Sequence, residues 1–513
     1  MSTLRVVSYA INGRGLGHLT RQLAILRQIR QIAALLDLRL EAWVITSSEA
    51  DTLARREGIP ALKMPSKAMF RDAGIDPTRY LAVARGWVLN CVAGLGPDLL
   101  LVDTFPAGSF GELVSVLELA QRRVLVQRRV RDAFAEEASY AALLPLFHDT
   151  IVPDDRGTGP ILLRSRHEMV DREAARAALG VPAEGRAVYV SVGGGGDKAA
   201  GSTLPRLARS LTGRGWQVVV GAGPLYFGPE IRGDGITWLS RYAPVELFAG
   251  LDAAVSAAGY NSFHELMHAG VPTVFVPQPR IADDQAERAQ RAEDAGAGLV
   301  APTLDAVPEL LEALWTRRAD ASAAAQTLVP TNGAVAAAVQ ALTGLVPERD
   351  LATAASLLTP EVARLMAPLT EGGIENGRRA MRLLRLLAGD DTVALLGRYM
   401  TACTAAGVPA DTALLLTESL VRKFPAARGA ELVDGAARLF AAWGRFDDWM
   451  GAVSLMRAVP TQRRLTLDGF SERMASWLAK EDDLFDAARA FTRLEGAGRM
   501  QVDEVLSMLA AGA

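Results

Sequence analysis

One stretch in the middle of the chain limits its fold more than any other. The pattern predicts a buried strand, a small-residue turn, a helix and a second buried strand, over Leu251–Ser256, Ala257–Gly259, Asn261–Met267 and Thr273–Val276. Asn261 or Ser262 is the expected N-cap of this helix, and Gly270 is expected to end it. Strands that alternate with helices in this way form parallel sheets covered by helices, so the sequence predicts an α/β fold.

The same stretch has the features of an anion site. A glycine turn at Gly259 followed by a helix start offers free backbone N–H groups, and the helix dipole favours phosphate there. Glu265 lies one helical turn after Asn261, where a carboxylate can accept hydrogen bonds from the hydroxyls of a ribose. Asp284 and Gln285 fall in the loop after the next strand, at the sheet end where α/β proteins bind ligands. These residues predict a site for a nucleotide diphosphate with further polar groups beyond the phosphates.

This pattern resembles the donor-binding signature of nucleotide-sugar glycosyltransferases of the GT-B type. The likeness extends to plant UDP-glycosyltransferases and to the bacterial N-acetylglucosaminyltransferase of peptidoglycan synthesis. The resemblance implies that Glu265 binds ribose, that the helix start with Gly259, Asn261 and Ser262 binds diphosphate, and that Asp284 and Gln285 bind sugar hydroxyls. Many relatives carry a phosphate-contacting histidine where this chain has Ala257. Backbone donors would then carry more of the contact.

Composition excludes several other classes of protein. The chain has 513 residues, which suggests two or three domains. Its net charge of −3 and isoelectric point near 6.1 give no reason to expect nucleic acid as a partner. Cys91 and Cys403 form no metal or redox motif and fit a reducing compartment. We find no signal-peptide pattern and no apolar segment long enough to span a bilayer, so we expect a cytoplasmic protein.

A glycine-rich turn follows the first predicted strand and carries a histidine. In Gly15-x-Gly17-His18-x-x-Arg21 the glycines permit close approach of a ligand, and His18 lies in the first helical turn. The motif resembles the acceptor-side loop of GT-B enzymes, which implies that His18 is the general base. It also resembles nucleotide-sugar hydrolases in which the histidine helps to activate water. A helix start disfavours the protonated histidine, as a base at neutral pH requires.

A buried strand over Pro97–Asp103 ends in an acidic residue. A carboxylate at the C-terminal end of a central strand can reach the loop after the first strand, so Asp103 could accept a hydrogen bond from His18. Plant glycosyltransferases have a similar acid at the corresponding position. The alternative role for Asp103 is that of an N-cap or loop-binding carboxylate.

Two further loops belong to the predicted donor site. Four consecutive glycines, Gly193, Gly194, Gly195 and Gly196, follow a strand and leave backbone N–H groups accessible to a phosphate. The resemblance places Tyr242 where plant enzymes have a tryptophan that stacks on the base. The chain contains no Asp-x-Asp motif, and His264 and His268 have zinc-like spacing but no third ligand in view. We therefore expect neither a metal nor a cofactor.

The strand pattern stops near residue 350, and helices rich in Ala, Leu and Arg follow. Leu439, Phe446, Asp447 and Leu455 recur 39 positions later as Leu478, Phe485, Asp486 and Leu494, which suggests stacked helical hairpins. We expect an acceptor domain over 1–155, a donor domain over 160–345, and a helical domain over 350–513. The first two would be Rossmann-like domains that face each other. The third could bind a protein partner, mediate self-association or cover the other domains.

The leading hypothesis is a metal-independent, inverting glycosyltransferase that uses a nucleotide-diphosphate sugar, with a UDP-sugar favoured, and an unknown acceptor hydroxyl. His18 would deprotonate the acceptor and Asp103 would support His18. One alternative is a nucleotide-sugar hydrolase with water as the nucleophile. The other is a non-catalytic, glycosyltransferase-like protein whose helical region recruits a partner.

Overall fold

A computed structural model describes most of the chain. The described residues are 3–11, 16–109, 111–127, 141–154, 156–191, 200–221, 223, 226, 229–240, 243–278, 284–370, 373–389, 391–446, 449–458, 466–480, 482 and 486. The chain divides into two compact units, Met1–Arg30 with Arg39–Ala352 and Gln31–Leu38 with Thr353–Ala513. No helix of the described residues is both long and apolar enough to cross a membrane.

The first unit contains two parallel six-stranded sheets. The strands of the first sheet are β1 Thr3–Ala10, β2 Arg39–Thr46, β3 Ala61–Lys63, β4 Leu99–Asp103, β5 Arg122–Val126 and β6 Asp149–Ile151. Those of the second are β7 Arg186–Ser191, β8 Trp216–Gly221, β9 Ile236–Leu239, β10 Ala253–Ser256, β11 Thr273–Phe275 and β12 Gly298–Val300. The orders are β3-β2-β1-β4-β5-β6 and β12-β11-β10-β7-β8-β9. The predicted pair of parallel α/β sheets is confirmed.

Helices cover these sheets and continue to the end of the described chain. Those up to residue 342 are α1 Gly17–Leu35, α2 Thr52–Arg56, α3 Lys67–Asp72, α4 Pro77–Leu95, α5 Arg172–Leu179, α6 Ala200–Thr212, α7 Tyr260–Ala269, α8 Gln285–Asp294, α9 Val307–Thr316, α10 Arg318–Leu328 and α11 Ala334–Leu342. Then come α12 Glu348–Leu357, α13 Pro360–Thr370, α14 Ile374–Leu386, α15 Thr392–Ala405, α16 Ala410–Lys423, α17 Gly429–Trp443, α18 Trp449–Ala458 and α19 Leu467–Leu478. The helical character predicted for this last region is thus present.

Strand order fixes where ligands can bind in each sheet. In the first sheet β1 pairs with both β2 and β4, so the chain leaves β1 and β4 side by side at their carboxyl ends. In the second sheet β10 pairs with both β7 and β11, which brings the ends of β7 and β10 together. These are the points where strand order reverses, and doubly wound sheets bind ligands in the crevice there.

The central strands are buried on both faces, which explains their apolar sequences. Every residue of β4 and of β10 is buried, including the terminal Asp103 and Ser256. A polar residue at the end of such a strand must find hydrogen bonds in the protein or in a ligand, because its burial would otherwise cost free energy. Asp103 has hydrogen-bond partners in the protein, whereas Ser256 Oγ has none among the described residues.

Candidate active site

His18 and Asp103 meet at the carboxyl end of the first sheet. His18 is the second residue of α1, and Asp103 is the last residue of β4. The distance between His18 Nδ1 and Asp103 Oδ1 is 2.6 Å, and both side chains are buried. The His18 ring also stacks on Phe105, with ring centroids 5.6 Å apart. This geometry gives Asp103 a direct contact with the histidine and places both groups beside the loop after β1.

Asp103 accepts hydrogen bonds from three further side chains. Arg21 donates from Nε to Oδ2 at 2.9 Å and from Nη2 to Oδ1 at 2.6 Å. Gln22 Nε2 lies 3.2 Å from Oδ2, and Thr104 Oγ1 lies 2.7 Å from Oδ1. Burial works to raise the pKa of Asp103, but the charges of Arg21 and His18 and their hydrogen bonds outweigh it and hold the pKa well below its usual range. Asp103 is therefore an ionised carboxylate that can only accept.

Arg21 links Asp103 and its hydrogen-bond donors to α7, the helix that follows β10. The side chain is only 1% exposed, and its guanidinium carbon lies 5.1 Å from the centre of the Tyr260 ring. Tyr260 is the first residue of α7, and its hydroxyl donates to Pro153 O at 2.6 Å. A Cβ built on Gly17 would lie 3.8 Å from Asn261 Oδ1. The start of α1 and the start of α7 are thus in contact within the first unit.

The predicted N-cap of α7 is wrong. The helix begins at Tyr260 and its N-cap is Gly259, which offers no side-chain acceptor, so Asn261 and Ser262 are inside the first turn. Within the described part of the chain, the backbone N–H groups of Asn261 and Ser262 have no acceptor; the first intrahelical bond of the turn runs from Phe263 N to Gly259 O. The predicted helix end at Gly270 is confirmed by its left-handed φ of 75°.

Two buried polar atoms beside this turn lack partners. Among the described residues, neither Asn261 Oδ1 nor Ser256 Oγ has a hydrogen-bond partner, although both atoms are buried. Ser256 is the last residue of β10 and Asn261 is in the first turn of α7. Unsatisfied buried groups are costly, so a ligand that bonded with them would recover that free energy. The start of α7 therefore has the character of a binding site and not of a closed structural cap.

Glu265 lies one turn further along α7 and is half-buried. Burial raises the pKa of its carboxyl to about 7, although the charge of Arg164 works in the opposite direction. Arg164 is itself paired with Glu57, the residue after α2, at 2.7 Å and with Glu246 at 2.7 Å. Glu265 thus has a carboxylate whose ionisation is costly in the ligand-free protein and which a hydrogen-bond donor would stabilise.

Asp284 and Gln285 start α8 and already have local roles. Asp284 is the N-cap, and its Oδ1 accepts from Glu287 N at 3.0 Å. Gln285 Oε1 accepts from Gln278 N at 2.9 Å, while its Nε2 would lie 3.9 Å from a Cβ built on Gly259. The structure therefore brings Gln285 to the turn before α7, with Asp284 as its neighbour.

Other predicted site residues lie outside the described residues. They are Gly15 of the first loop, the glycines Gly193, Gly194, Gly195 and Gly196, and Tyr242. Among the described residues, the backbone is strained at Ala243, beside Tyr242, with φ of 54°. It is also strained at Thr104, after Asp103, and at Ala258, before Gly259, with φ of 62° and 58°. Such left-handed non-glycine residues cost about 1–3 kcal/mol each and concentrate at functional sites.

The histidine pair on α7 does not form a metal site. His268 Nδ1 lies 3.0 Å from Val329 O, and its Nε2 accepts from Arg166 N at 3.0 Å, so both ring nitrogens are engaged. His264 Nδ1 lies 2.7 Å from Tyr260 O. Within the described ranges no three His, Cys, Asp or Glu side chains are grouped as metal ligands.

The sequence interpretation missed four residues of this region. Gln22 and Thr104 complete the set of donors around Asp103, Tyr260 covers Arg21, and Arg288 Nε donates to Ala258 O at 3.1 Å. Gln22 and Thr104 are sequence neighbours of predicted residues, so adjacency was an available signal. Tyr260 and Arg288 act across the tertiary structure, and no local pattern marks them.

A family of known proteins matches the part of the chain that contains α7 and α8. Residues 239–335 match the glycosyltransferase family 28 C-terminal domain. The UDP-N-acetylglucosamine--N-acetylmuramyl-(pentapeptide) pyrophosphoryl-undecaprenol N-acetylglucosamine transferase of Clavibacter michiganensis is 31% identical over 140 residues, which cover 27% of this chain and 38% of that protein. The transferase of the same name from Paenarthrobacter aurescens is 27% identical over 271 residues, or 50% and 68% of the two chains.

A solved structure of MurG from Acinetobacter baumannii is also similar. It has 17% identity and a TM-score of 0.42, and the alignment covers 64% of this chain and 95% of that one. The first curated relative is matched over 38% of its length only. The family match and the curated relatives confirm the predicted resemblance to nucleotide-sugar glycosyltransferases, and residues 239–335 are the part of the chain that is similar to the glycosyltransferase family 28 C-terminal domain.

Proposed function

We propose that this protein is an inverting glycosyltransferase that moves a sugar from a nucleotide-diphosphate sugar to an acceptor hydroxyl without a metal ion. One observation carries the proposal. The His18–Asp103 pair at the carboxyl end of the first sheet lies beside the start of α7, where Gly17 approaches Asn261 and the first backbone N–H groups have no acceptor within the described residues. A base and an anion site in contact are what transfer from a diphosphate donor requires.

His18 would act as the general base in this reaction. Because Asp103 only accepts hydrogen bonds, neutral His18 carries its proton on Nδ1, and Nε2 is then the basic nitrogen of the ring. Nε2 would take the proton of the acceptor hydroxyl while the acceptor oxygen attacks the anomeric carbon of the sugar. The bond from that carbon to the diphosphate breaks on the opposite face, so a single displacement inverts the configuration.

The second sheet would hold the donor. The N–H groups of Asn261 and Ser262 would bind the diphosphate and stabilise the charge that develops on it as it leaves. Glu265 would accept hydrogen bonds from ribose, and Asp284 and Gln285 would bind sugar hydroxyls. The resemblance adds Gly193–Gly196 as phosphate donors, Tyr242 as a surface for the base, and Gly15, Gly17 and Arg21 on the acceptor side.

A UDP-sugar is the favoured donor. Support comes from the curated relatives, whose names specify UDP-N-acetylglucosamine as their donor. The expected division into an acceptor domain over 1–155, a donor domain over 160–345 and a helical domain over 350–513 is part of the proposal, as is a cytoplasmic location. The acceptor is unassigned.

We also propose that the helices of the second unit form a repeat. Helix α15 packs on α17 and α17 on α19, while α14 packs on α16 and α16 on α18. Arg382 pairs with Glu418 and Arg398 with Asp434, and the partners of each pair are 36 residues apart. Packing of each helix on the next but one is typical of stacked helical hairpins. Such a stack could bind a protein partner or a second copy of the chain.

Replacement of His18 tests whether this residue is the general base. His18→Ala should keep the fold, because it removes a side chain from the first turn of α1 and leaves Asp103 bonded to Arg21. It should lower turnover about 10²–10⁴-fold, the range for loss of a general base. His148→Ala is the matched control, since His148 is exposed on the same unit. Donors are first selected from a nucleotide-sugar panel by thermal shift, and products are then identified by mass spectrometry with and without alcohols.

The wild-type protein decides between the two reactions. A transferase should release free sugar slowly from its donor and turn over faster when the right alcohol is supplied. Rapid cleavage of the donor in water alone, indifferent to added alcohols and abolished in His18→Ala, would assign the hydrolase instead. Donor binding without cleavage under any condition would support the non-catalytic alternative.

A further inference from the structure

The first turn of α8 lies against the turn that precedes α7. Gln285 and Arg288 are three residues apart on α8 and therefore share a helix face. Gln285 Nε2 approaches Gly259, and Arg288 Nε donates to Ala258 O at 3.1 Å. This face of α8 thus contacts both residues immediately before α7.

The charge of Arg288 also reaches the first turn of α7. Burial is the main reason that the pKa of His264 falls to about 3, and the charge of Arg288 is the next. Burial raises the pKa of Tyr260 to about 12, and the charge of Arg288 is one of the smaller effects that work in the opposite direction. Two residues of α7 therefore experience the guanidinium from its place beside the turn.

A diphosphate at this turn needs more positive charge than the helix supplies. A helix N-terminus has the equivalent of roughly half an elementary charge, whereas a bound diphosphate carries at least one full negative charge. The turn itself contributes the apolar side chains of Ala257 and Ala258, which are buried. A cation delivered from another element would complete the site.

We propose that Arg288 is a donor-binding residue that contacts the diphosphate of the nucleotide sugar at the start of α7. The inference rests on the proposed function, because it assumes that this turn holds the donor. Arginine suits the position, since its Nε–H can bond to Ala258 O while the Nη groups of the same planar fork donate to phosphate oxygens. Arg288 would thus replace the cationic or polar side chain that Ala257 lacks.

Isothermal titration calorimetry with UDP and with uridine tests this role. Arg288→Gln should weaken UDP binding about tenfold to a hundredfold, the range for loss of a hydrogen bond to a charged group, and leave uridine binding unchanged. Arg288→Lys keeps the charge and should retain most of the UDP affinity. Arg291→Gln removes a positive charge from the same helix one turn later and should bind UDP as the wild type does.

The outcomes separate this inference from the proposed function. UDP affinity that is equal in wild type and Arg288→Gln would overturn the role of Arg288 and leave the donor site standing. Equal losses in Arg288→Gln and Arg288→Lys, or a matching loss of uridine affinity, would show that Arg288 only holds the turn through Ala258 O. Wild-type protein that binds neither UDP, TDP, GDP nor pyrophosphate would overturn the donor site and the inference with it.

Discussion

Replacing Asp103 by asparagine, a side chain of the same shape, tests whether one carboxylate organises the first half of the site. Its Oδ1 is bonded to His18 Nδ1, Arg21 Nη2 and Thr104 Oγ1, and its Oδ2 to Arg21 Nε and Gln22 Nε2. An asparagine has one acceptor oxygen, so at least two of these donors would face its NH2 group. The loss of charge also removes the carboxylate with which the buried guanidinium of Arg21 pairs, and breaking such a pair costs about 3–5 kcal/mol.

Scanning calorimetry of the full chain, followed through the unfolding of the first unit, measures this cost. Asp103→Asn should lower its melting temperature by on the order of 5–10 °C. Asp98→Asn is the matched control, because Asp98 lies at the other end of the same strand and its Oδ2 accepts one backbone hydrogen bond, from Arg5 N at 2.7 Å. If Asp103→Asn melts no lower than Asp98→Asn, the buried carboxylate does not hold this group together.

The stability difference between wild type and Asp103→Asn depends on pH because the pKa of Asp103 is low. The folded pKa lies below the unfolded value of about 3.9, so the carboxylate stabilises the fold fully above that value. The contribution disappears as the pH falls through the folded pKa. The gap between wild type and Asp103→Asn should therefore be constant from about pH 8 to pH 5 and shrink below about pH 4. A gap that widens on acidification would contradict the assignment.

Two further predictions concern the donor site. The pKa of Glu265 is about 7 in the folded protein, above its value in the unfolded chain. The free energy of unfolding of the wild type should therefore fall as the pH rises from the unfolded pKa to the folded pKa. The loss should reach at most roughly 3 kcal/mol, and less because Glu265 is only half-buried. Glu265→Gln should remove this dependence of stability on pH and weaken UDP binding by about 1–3 kcal/mol. Glu309→Gln is the exposed control. If neither the pH dependence nor the UDP affinity changed in Glu265→Gln, both predictions would be wrong. Turnover should survive exhaustive chelation by EDTA, and activity that is lost in EDTA and restored by magnesium or manganese would show a cation site.

Much of the fold was predictable because buried parallel strands are continuous apolar runs. The predicted ends of β4 and β10, Asp103 and Ser256, agree with the structure. Strand β4 begins two residues later than predicted, after Pro97, which has no backbone N–H to donate to a sheet. The short helices α2 and α3 were not predicted. With only 5 and 6 residues, they are too short for a helical period to be visible in the sequence.

The site was predictable where it depends on strand order and unpredictable where it depends on tertiary contacts. His18 follows β1 and Asp103 ends β4, and these two strands are adjacent, so the sequence could bring the two residues together. The N-cap of α7 was mispredicted because Asn and Ser are favoured caps, whereas the structure uses Gly259 and leaves the first turn open to a ligand. Tyr260 against Arg21 and Arg288 against Ala258 join elements far apart in sequence.

Asp103 is bonded to both Arg21 and His18, and the bonds to Arg21 determine how Asp103 can act on His18. The guanidinium of Arg21 is always protonated and donates two hydrogen bonds to Asp103, so the charge of the carboxylate is balanced before His18 takes up a proton. Its main effect on neutral His18 is then to fix the proton on Nδ1 and the orientation of the ring. Because the same Arg21 lies against Tyr260 at the start of α7, a movement of that helix would disturb the group that orients the base as well as the proposed diphosphate site. The buried arginine therefore couples the two halves of the reaction that we propose.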